Sequence, residues 1–397
     1  MKSLIKHIML LLIPVVVIGV LSCKKDDTKP NNGDPVVYYI RSTDPGLSDS
    51  LLAGSFMGSL IAIVGDNLGD TKEMWFNDQK ATLNPAYITD KTILVNVPST
   101  VPSTVTDKIR FVFGDGSEYL YDFNVNVPAP VLSSIKCEYV PDGGTVKLEG
   151  DFFFEPKVFF PGDLQAEITA VDKTHLEVTV PQGATGGPIT VQTNFGKVKS
   201  AFLFRDDRNV LLDFDTKLHE TWTAPIANAS ANPDPAPCSG NYAYFKHAAN
   251  SAWQWTNELT MQYWAPRGRG NVPVATGNPA DLVFKFECNV PTEWKDVRME
   301  IFFGPYAEDH GRDVAGTVFA RWKPWKNGPY KTDGWITVAI PLSEFKYGKD
   351  DADTDENGTK KLDNLSNLTN VVMMLFGPAN GTNPVYVCID NPRIVSK

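Results

Sequence analysis

Tryptophan is the residue type in this 397-residue chain that is most able to do chemistry by its placement. Of nine tryptophans, Trp75 stands alone early, and Trp222, Trp253, Trp255, Trp264, Trp294, Trp322, Trp325 and Trp335 follow in the second half. An indole or phenol ring offers a flat apolar face to the C–H face of a ring ligand such as a sugar, with an N–H or O–H at its rim. Covering one such face is worth on the order of 1.5–3 kcal/mol, and several in a row give the additive affinity that suits a polymer. The best-placed aromatics lie among loop-forming residues. Trp322 and Trp325 flank Lys323-Pro324, and Tyr330 follows Gly328-Pro329. Tyr263 and Trp264 open the Pro- and Gly-rich stretch 264–281, with Arg267 and Arg269 near as hydroxyl donors, and Tyr306 follows Gly304-Pro305. Each of these rings can equally anchor a loop to a core. Trp253 and Trp255 share one face at i, i+2 and read as core, Trp335 reads as structural, and Trp222 and Trp294 stay undecided.

Other chemistries find less support. Glycoside hydrolysis needs two carboxylates facing one bond; Glu220, Glu258, Glu293, Glu308 and Asp309 are present, but nothing in the sequence pairs them. His219, His247 and His310 form no HExxH or Ser/His/Asp pattern, and no glycine-rich phosphate loop is visible. The chain is therefore expected to be no enzyme and to carry no cofactor. Asp353-x-Asp355-x-Asn357-Gly358 matches the first six positions of a calcium loop, yet Lys361 and Asn364 fill positions nine and twelve. A solvated hairpin tip is expected there, and no metal. Cys137, Cys238, Cys288 and Cys388 lack zinc-ligand spacing. Export would permit disulfides, whereas Cys288 shares a face with Leu282, Phe284 and Phe286 as a buried thiol does. With 47 acidic against 37 basic residues, a net charge of -10, no basic face is offered to nucleic acid.

The N-terminus reads as an address. Lys2 and Lys6 precede a short apolar run, Ile8 to Leu21, interrupted by Pro14, which suits a signal peptide over residues 1–22 better than a span. Val20-Leu21-Ser22-Cys23 resembles a bacterial lipobox, which implies acylation of Cys23 and an anchored rather than spanning protein. Lys24-Lys25-Asp26-Asp27 resembles the signal that sends lipoproteins to the outer face of some Gram-negative cells. Residues 23–35 are then the lipidated cysteine and a polar tether.

Behind the tether, a repeat with an offset of about 85 residues runs through 36–205. Ile61-Ala62-Ile63-Val64-Gly65-Asp66 returns as Val146-Lys147-Leu148-Glu149-Gly150-Asp151, and the strand 91–98 returns as 173–181. Short alternating strands between Gly, Pro, Asn and Asp turns predict an all-β fold. The pattern resembles the IPT/TIG immunoglobulin-like fold, with one module over 36–127 and a second over 128–205. Their phenylalanines, Phe111 and Phe113 among them, read as core, which leaves the modules the task of spacing. Over 206–397 alternation recurs around Val210–Phe214, Leu282–Phe286, Val297–Phe303, Ile336–Ile340, Val371–Leu375 and Val385–Ile389, which predicts one larger jelly-roll-like β-sandwich.

Leu211-Leu212-Asp213-Phe214, Gly240-Asn241-Tyr242-Ala243-Tyr244, 334–342 and Ile389-Asp390-Asn391-Pro392-Arg393-Ile394 resemble carbohydrate-binding jelly rolls. Together with the lipobox and the paired IPT/TIG modules, the chain resembles the surface glycan-binding proteins of the B type from polysaccharide-utilisation loci, whose C-terminal domain family is named for xyloglucan. The resemblance implies an outer-membrane, cell-surface lipoprotein that binds a neutral plant-type or other β-glucan without cleaving it. It further implies a TonB-dependent glycan transporter and companion lipoproteins as partners. An adhesin-like or structural surface lipoprotein that binds protein is the alternative.

Overall fold

The structure, a computed structural model, describes residues 33–47, 49–219, 224–252, 260–264 (backbone only), 272–304, 316–352, 356–366 and 368–397. The signal peptide, Cys23 and most of the tether lie outside these residues. The protein is all-β; the helical elements among the described residues are short 3-10 turns, and none is long and apolar enough to cross a membrane. The chain forms two compact units, Met1–Pro128 and Ala129–Lys397.

In the first unit, a three-stranded sheet (Val36–Ser42, Leu60–Asp66, Thr92–Asn96) encloses Ile40, Ile63, Met74, Phe76, Ile93 and Phe111 with a four-stranded one (Gln79–Lys80, Thr71–Phe76, Lys108–Phe113, Glu118–Asp122). Strict alternation in Lys108–Phe113, with Ile109, Phe111 and Phe113 buried, is what a half-buried strand requires. In the second unit, residues 131–204 repeat this frame around Leu148, Phe160, Leu176, Val178, Val191 and Phe204. The Gly-Asp strand end that marks the repeat has a steric cause. A Cβ on Gly65 would stand 2.0 Å from the Val36 carbonyl oxygen, and one on Gly150 1.9 Å from that of Val131. Both glycines let the first strand pass, and each first strand carries a register shift just beyond that point.

The larger sandwich of the second unit faces a five-stranded sheet against a four-stranded one. The five-stranded sheet runs Ile226–Ala227, Tyr242–Asn250, Asn383–Ser396, Leu282–Asn289, Ile336–Pro341; the four-stranded sheet runs Thr260–Trp264, Asn370–Phe376, Arg298–Gly304, Val318–Trp322. Phe284, Phe286, Met299, Ile301, Phe303, Met373, Val387 and Ile389 fill the space between. One expected strand is absent: 210–214 makes only an isolated bridge, Val210 to Arg393. Val210, Leu212 and Phe214 are buried as the alternation predicts, and the out-of-phase Leu211 is buried as well. However, Phe214 has φ of 56°, and the Asp213 carboxylate accepts the N–H groups of Asp215, Thr216 and Lys217, curling the chain out of the ladder.

The second module is joined to this sandwich by buried charge. Residues 136–139 lie against the five-stranded sheet: Thr337 N donates to the Lys136 carbonyl (2.9 Å) and Glu138 N to Thr337 Oγ1 (2.7 Å). The Glu138 carboxylate accepts from Lys285 Nζ and Arg393 Nη2, each at 2.6 Å. Arg393 also donates to Glu287 at 2.7 and 3.0 Å, and Thr337 Oγ1 to Glu287 at 2.9 Å. Glu287 and Arg393 are fully buried and Glu138 nearly so. Two cations meet two carboxylates, which is the condition for holding ions out of water. Tyr139 adds a hydrogen bond from its hydroxyl to the Asp206 carbonyl (2.8 Å).

Candidate functional site

The structure brings Trp322, Trp325 and Tyr330 together with Trp294 at one corner of the larger sandwich. Trp322 ends a strand rather than standing in a loop, and meets Phe286 and Trp294 edge-on, each at 5.3 Å between ring centroids. Tyr330 is edge-on to Trp322 at 6.4 Å, and its backbone bridges to Trp294 in both directions (2.8 and 2.9 Å). Trp294, which the sequence left undecided, is fully buried. Its Nε1 and that of Trp325 both donate to the Val297 carbonyl at 2.7 Å. Trp322, Trp325 and Tyr330 stay half-buried. The indole N–H of Trp325 is thus consumed inside the protein, which locks the ring and leaves only its face to offer. Burial pushes the Tyr330 hydroxyl up to about 12, so it remains a donor at any physiological pH.

Charges brace the same corner. The turn Pro324–Asn327 is tied to the 346–360 loop because Lys323 (2.5 Å) and Lys326 (2.8 Å) both donate to Glu356. Those lysines, Lys323 first, pull the Glu356 carboxyl down to about 2. Arg321 donates to Glu300 (3.1 Å) and to the Ala352 carbonyl (2.9 Å), and lies 4.2 Å from the Tyr347 ring centroid. Asp353 and Asp355 of the calcium-loop match lie outside the described residues.

Tyr263 and Trp264 belong to the edge strand of the four-stranded sheet, opposite Val371 and Asn370. Asn370 also faces Gly304, whereas Trp322 faces Met299 and, beyond it, Leu375. The two aromatic sites therefore sit toward opposite ends of one sheet, about 17 Å apart along the strands and about 14 Å across them. Tyr306, Trp222, Trp253 and Trp255 lie outside the described residues.

Sequence reasoning missed the outer face of that sheet. Phe302, Phe319, Tyr347, Val372, Met374 and Phe376 form a second buried cluster there, and Glu300 is fully buried beside them, accepting also from Arg298 (2.9 Å). The signal was present in Val372, Met374 and Phe376, which are as apolar as the Val371, Met373 and Leu375 read as the buried face, so that the run marks a strand covered on both faces. Other rim groups are already spoken for. Tyr386, Tyr242 and Trp335 donate to the carbonyls of Asp234, Pro235 and Ala236 (2.6–2.8 Å). They clamp residues 234–238 across the five-stranded sheet, and Trp335 is structural.

With this geometry in place, the comparisons with known proteins are consistent among themselves. Residues 204–396 match the family model described as the surface glycan-binding protein B xyloglucan binding domain. The crystal structure of a surface glycan-binding protein B from Prevotella bryantii is similar over 92% of this chain and 99% of that one, at 28% identity and a TM-score of 0.71. A surface glycan-binding protein B from a complex xyloglucan utilization locus in Bacteroides uniformis shares the fold (92% of this chain, 100% of that one, 17% identity, TM-score 0.50). An IPT/TIG domain-containing protein of Bacteroides ovatus is 32% identical over 185 residues, 44% of this chain and 36% of its own length. The chain thus spans about a third of the length of that curated relative.

Proposed function

We propose that the chain is a surface glycan-binding protein of the B type, a reading supported by the family match over residues 204–396 and by the Prevotella bryantii structure, and that it captures a neutral β-glucan of the xyloglucan kind at the cell surface without cleaving it. The observation that carries this reading is that the domain matched by the xyloglucan-binding family is the one that holds the braced aromatic corner. Trp325 supplies the first platform, with Trp322 and Tyr330 beside it. Tyr263, Trp264 and Tyr306 extend the contact along the polymer. Capture rather than hydrolysis fits the state of three buried glutamates: Glu138, Glu287 and Glu300 are each held by arginine and turned to structural use. Acyl chains on Cys23 hold the protein on the outer membrane, and a TonB-dependent transporter with companion lipoproteins receives the glycan.

Affinity electrophoresis and calorimetry against a panel of plant, fungal and algal glycans test this. Retardation by xyloglucan or a related β-glucan is expected, with at least a tenfold loss in Trp325→Ala and native circular dichroism retained. Trp322 also packs on Phe286, so Trp322→Phe is the informative change there. Retardation by no glycan of the panel overturns the reading and favours a protein-binding surface lipoprotein. Release of reducing ends would instead make the protein a hydrolase.

A further inference from the structure

Four cysteines are free and buried in the second unit, and the fold sorts their partners. Cys288 stands opposite Ile389 and packs in the sandwich core, while Cys388 stands opposite Asn289. The pleat sends neighbouring positions to opposite faces, so Cys288 and Cys388 are separated by the sheet itself. Cys137 and Cys238 are different. They come from the second module and from the clamped 234–238 segment, and they pack together with Tyr139 in one small buried cluster, edged by Val140 and Trp335. Cys137 Sγ donates to the Tyr139 carbonyl (3.0 Å), and Cys238 Sγ reaches Asp390 Oδ2 (3.6 Å). Neither sulfur has a metal-ligating neighbour set among the described residues.

We propose that Cys137 and Cys238 are a disulfide site, a covalent tie between the second module and the glycan-binding sandwich. This rests on the cell-surface reading, because the compartment must supply an oxidant. The oxidant is a disulfide of a protein or small thiol. One cysteine thiolate attacks it, a mixed disulfide forms, and one oxidant thiol leaves carrying a proton. The second cysteine thiolate then attacks the protein sulfur of that mixed disulfide, and the other oxidant thiol leaves. Two electrons and two protons pass to the oxidant, and one S–S bond remains in the protein. Burial first, and Cys137 second, push the Cys238 thiol well above its ordinary pKa. Thiolate is therefore scarce once the joint is closed, and the bond forms during folding rather than after it. The tie acts where the buried ions already act: Glu138 follows Cys137 in the chain, and Asp390 beside Cys238 belongs to the strand that carries Arg393.

Peptide mapping of the full chain tests it, on protein extracted from the outer membrane and on protein refolded with oxidised and reduced glutathione, both alkylated before digestion. Trypsin places Cys137 in peptide 137–147 and Cys238 in peptide 218–246. The expected result in both preparations is these two peptides joined, two hydrogens lighter than their sum and separated by reductant, with Cys288 and Cys388 in singly alkylated peptides. Cys238→Ser should return peptide 137–147 alkylated. Alkylated Cys137 and Cys238 in the refolded protein overturn the geometry of the proposal. A joined pair in the refolded protein but alkylated cysteines in the membrane extract overturn it for the cell, and leave glycan capture standing.

Discussion

The two immunoglobulin-like modules share a frame but differ in strand count, the second adding Glu167–Val171 to the sheet that has three strands in the first, and in one connection that matters for the joint. Between the first and second strands of the same sheet, the first module runs through residues 43–59, and Gly54–Phe56 within it pairs in parallel with Asn124–Asn126 of its own module. Its ion pairs, such as Lys72 with Asp70 and Arg110 with Glu118, are solvated, a class worth about 0–1 kcal/mol each. The second module crosses the same gap with residues 136–144, and that shorter segment carries Cys137, Glu138 and Tyr139 into the sandwich. The frame sets the fold, while a short loop decides whether a module keeps its charges in water or buries them against a neighbour.

The most damaging way to probe that difference is to remove the cation at the centre of the joint. Arg393→Met leaves Glu138 with Lys285 and takes from Glu287 the cation that bonds it. A loss of about 3–5 kcal/mol is expected for the Ala129–Lys397 unit, read by urea unfolding, with the first unit's transition unmoved. A loss below about 1 kcal/mol would show that packing rather than charge holds the joint.

Acid separates the same two units. The Met1–Pro128 unit has no histidine beyond His7. In the larger sandwich, burial holds His219 down at about 4, with its ring edge-on to Phe214 at 5.6 Å. A histidine kept neutral in the fold but free to protonate when unfolded makes stability rise with pH. Its contribution is complete above about 6.5 and is lost as pH falls toward 4, at most about 3 kcal/mol. Thermal melts between pH 7 and 4.5 should lower the second unit's midpoint first, and His219→Phe should flatten that slope.

The shared frame predicts equality where the joint predicts difference. Gly65→Ala and Gly150→Ala each drive a methyl group into the carbonyl of the first strand, so each should cost its own unit about 1–3 kcal/mol or somewhat more. A Gly150→Ala loss smaller than that of Gly65→Ala would mean that the two first strands do not pass their glycines alike, because at Gly150 the added methyl group also meets the Phe153 ring at 2.5 Å, against 3.1 Å to Leu68 at Gly65.

Much of this was legible in the sequence, because burial imposes period. Lys108–Phe113, Leu282–Asn289 and Ile336–Pro341 announced themselves by alternation, and the repeated Gly-Asp located the equivalent strands in both modules. What was not legible depends on partners distant in the chain. Glu138 looked like one acid among many until Lys285 and Arg393 closed on it. Trp325 looked displayed beside Pro324, and only the fold reveals that its N–H is taken by Val297. The alternation of Val210–Phe214 was real, yet it served burial without a ladder because Asp213 captured three backbone donors.

The smallest effect tests whether charge at the aromatic corner behaves like charge at the joint. Glu356 bonds Lys323 and Lys326, yet half of its side chain is solvated, so water already does most of the work of stabilising the ions. Glu356→Gln should therefore cost less than about 1 kcal/mol, and high salt should reproduce most of the loss in the unmutated protein. The sign with pH is opposite to a buried acid's. Because the folded pKa is depressed to about 2, the contribution is present above the ordinary carboxyl range and is lost as pH falls from that range through about 2. Glycan affinity should fall only a few-fold, through a looser Pro324–Asn327 turn, and by far less than in Trp325→Ala. An affinity loss as large as that of Trp325→Ala, at unchanged stability, would move Glu356 from bracing the aromatic ring to touching the sugar.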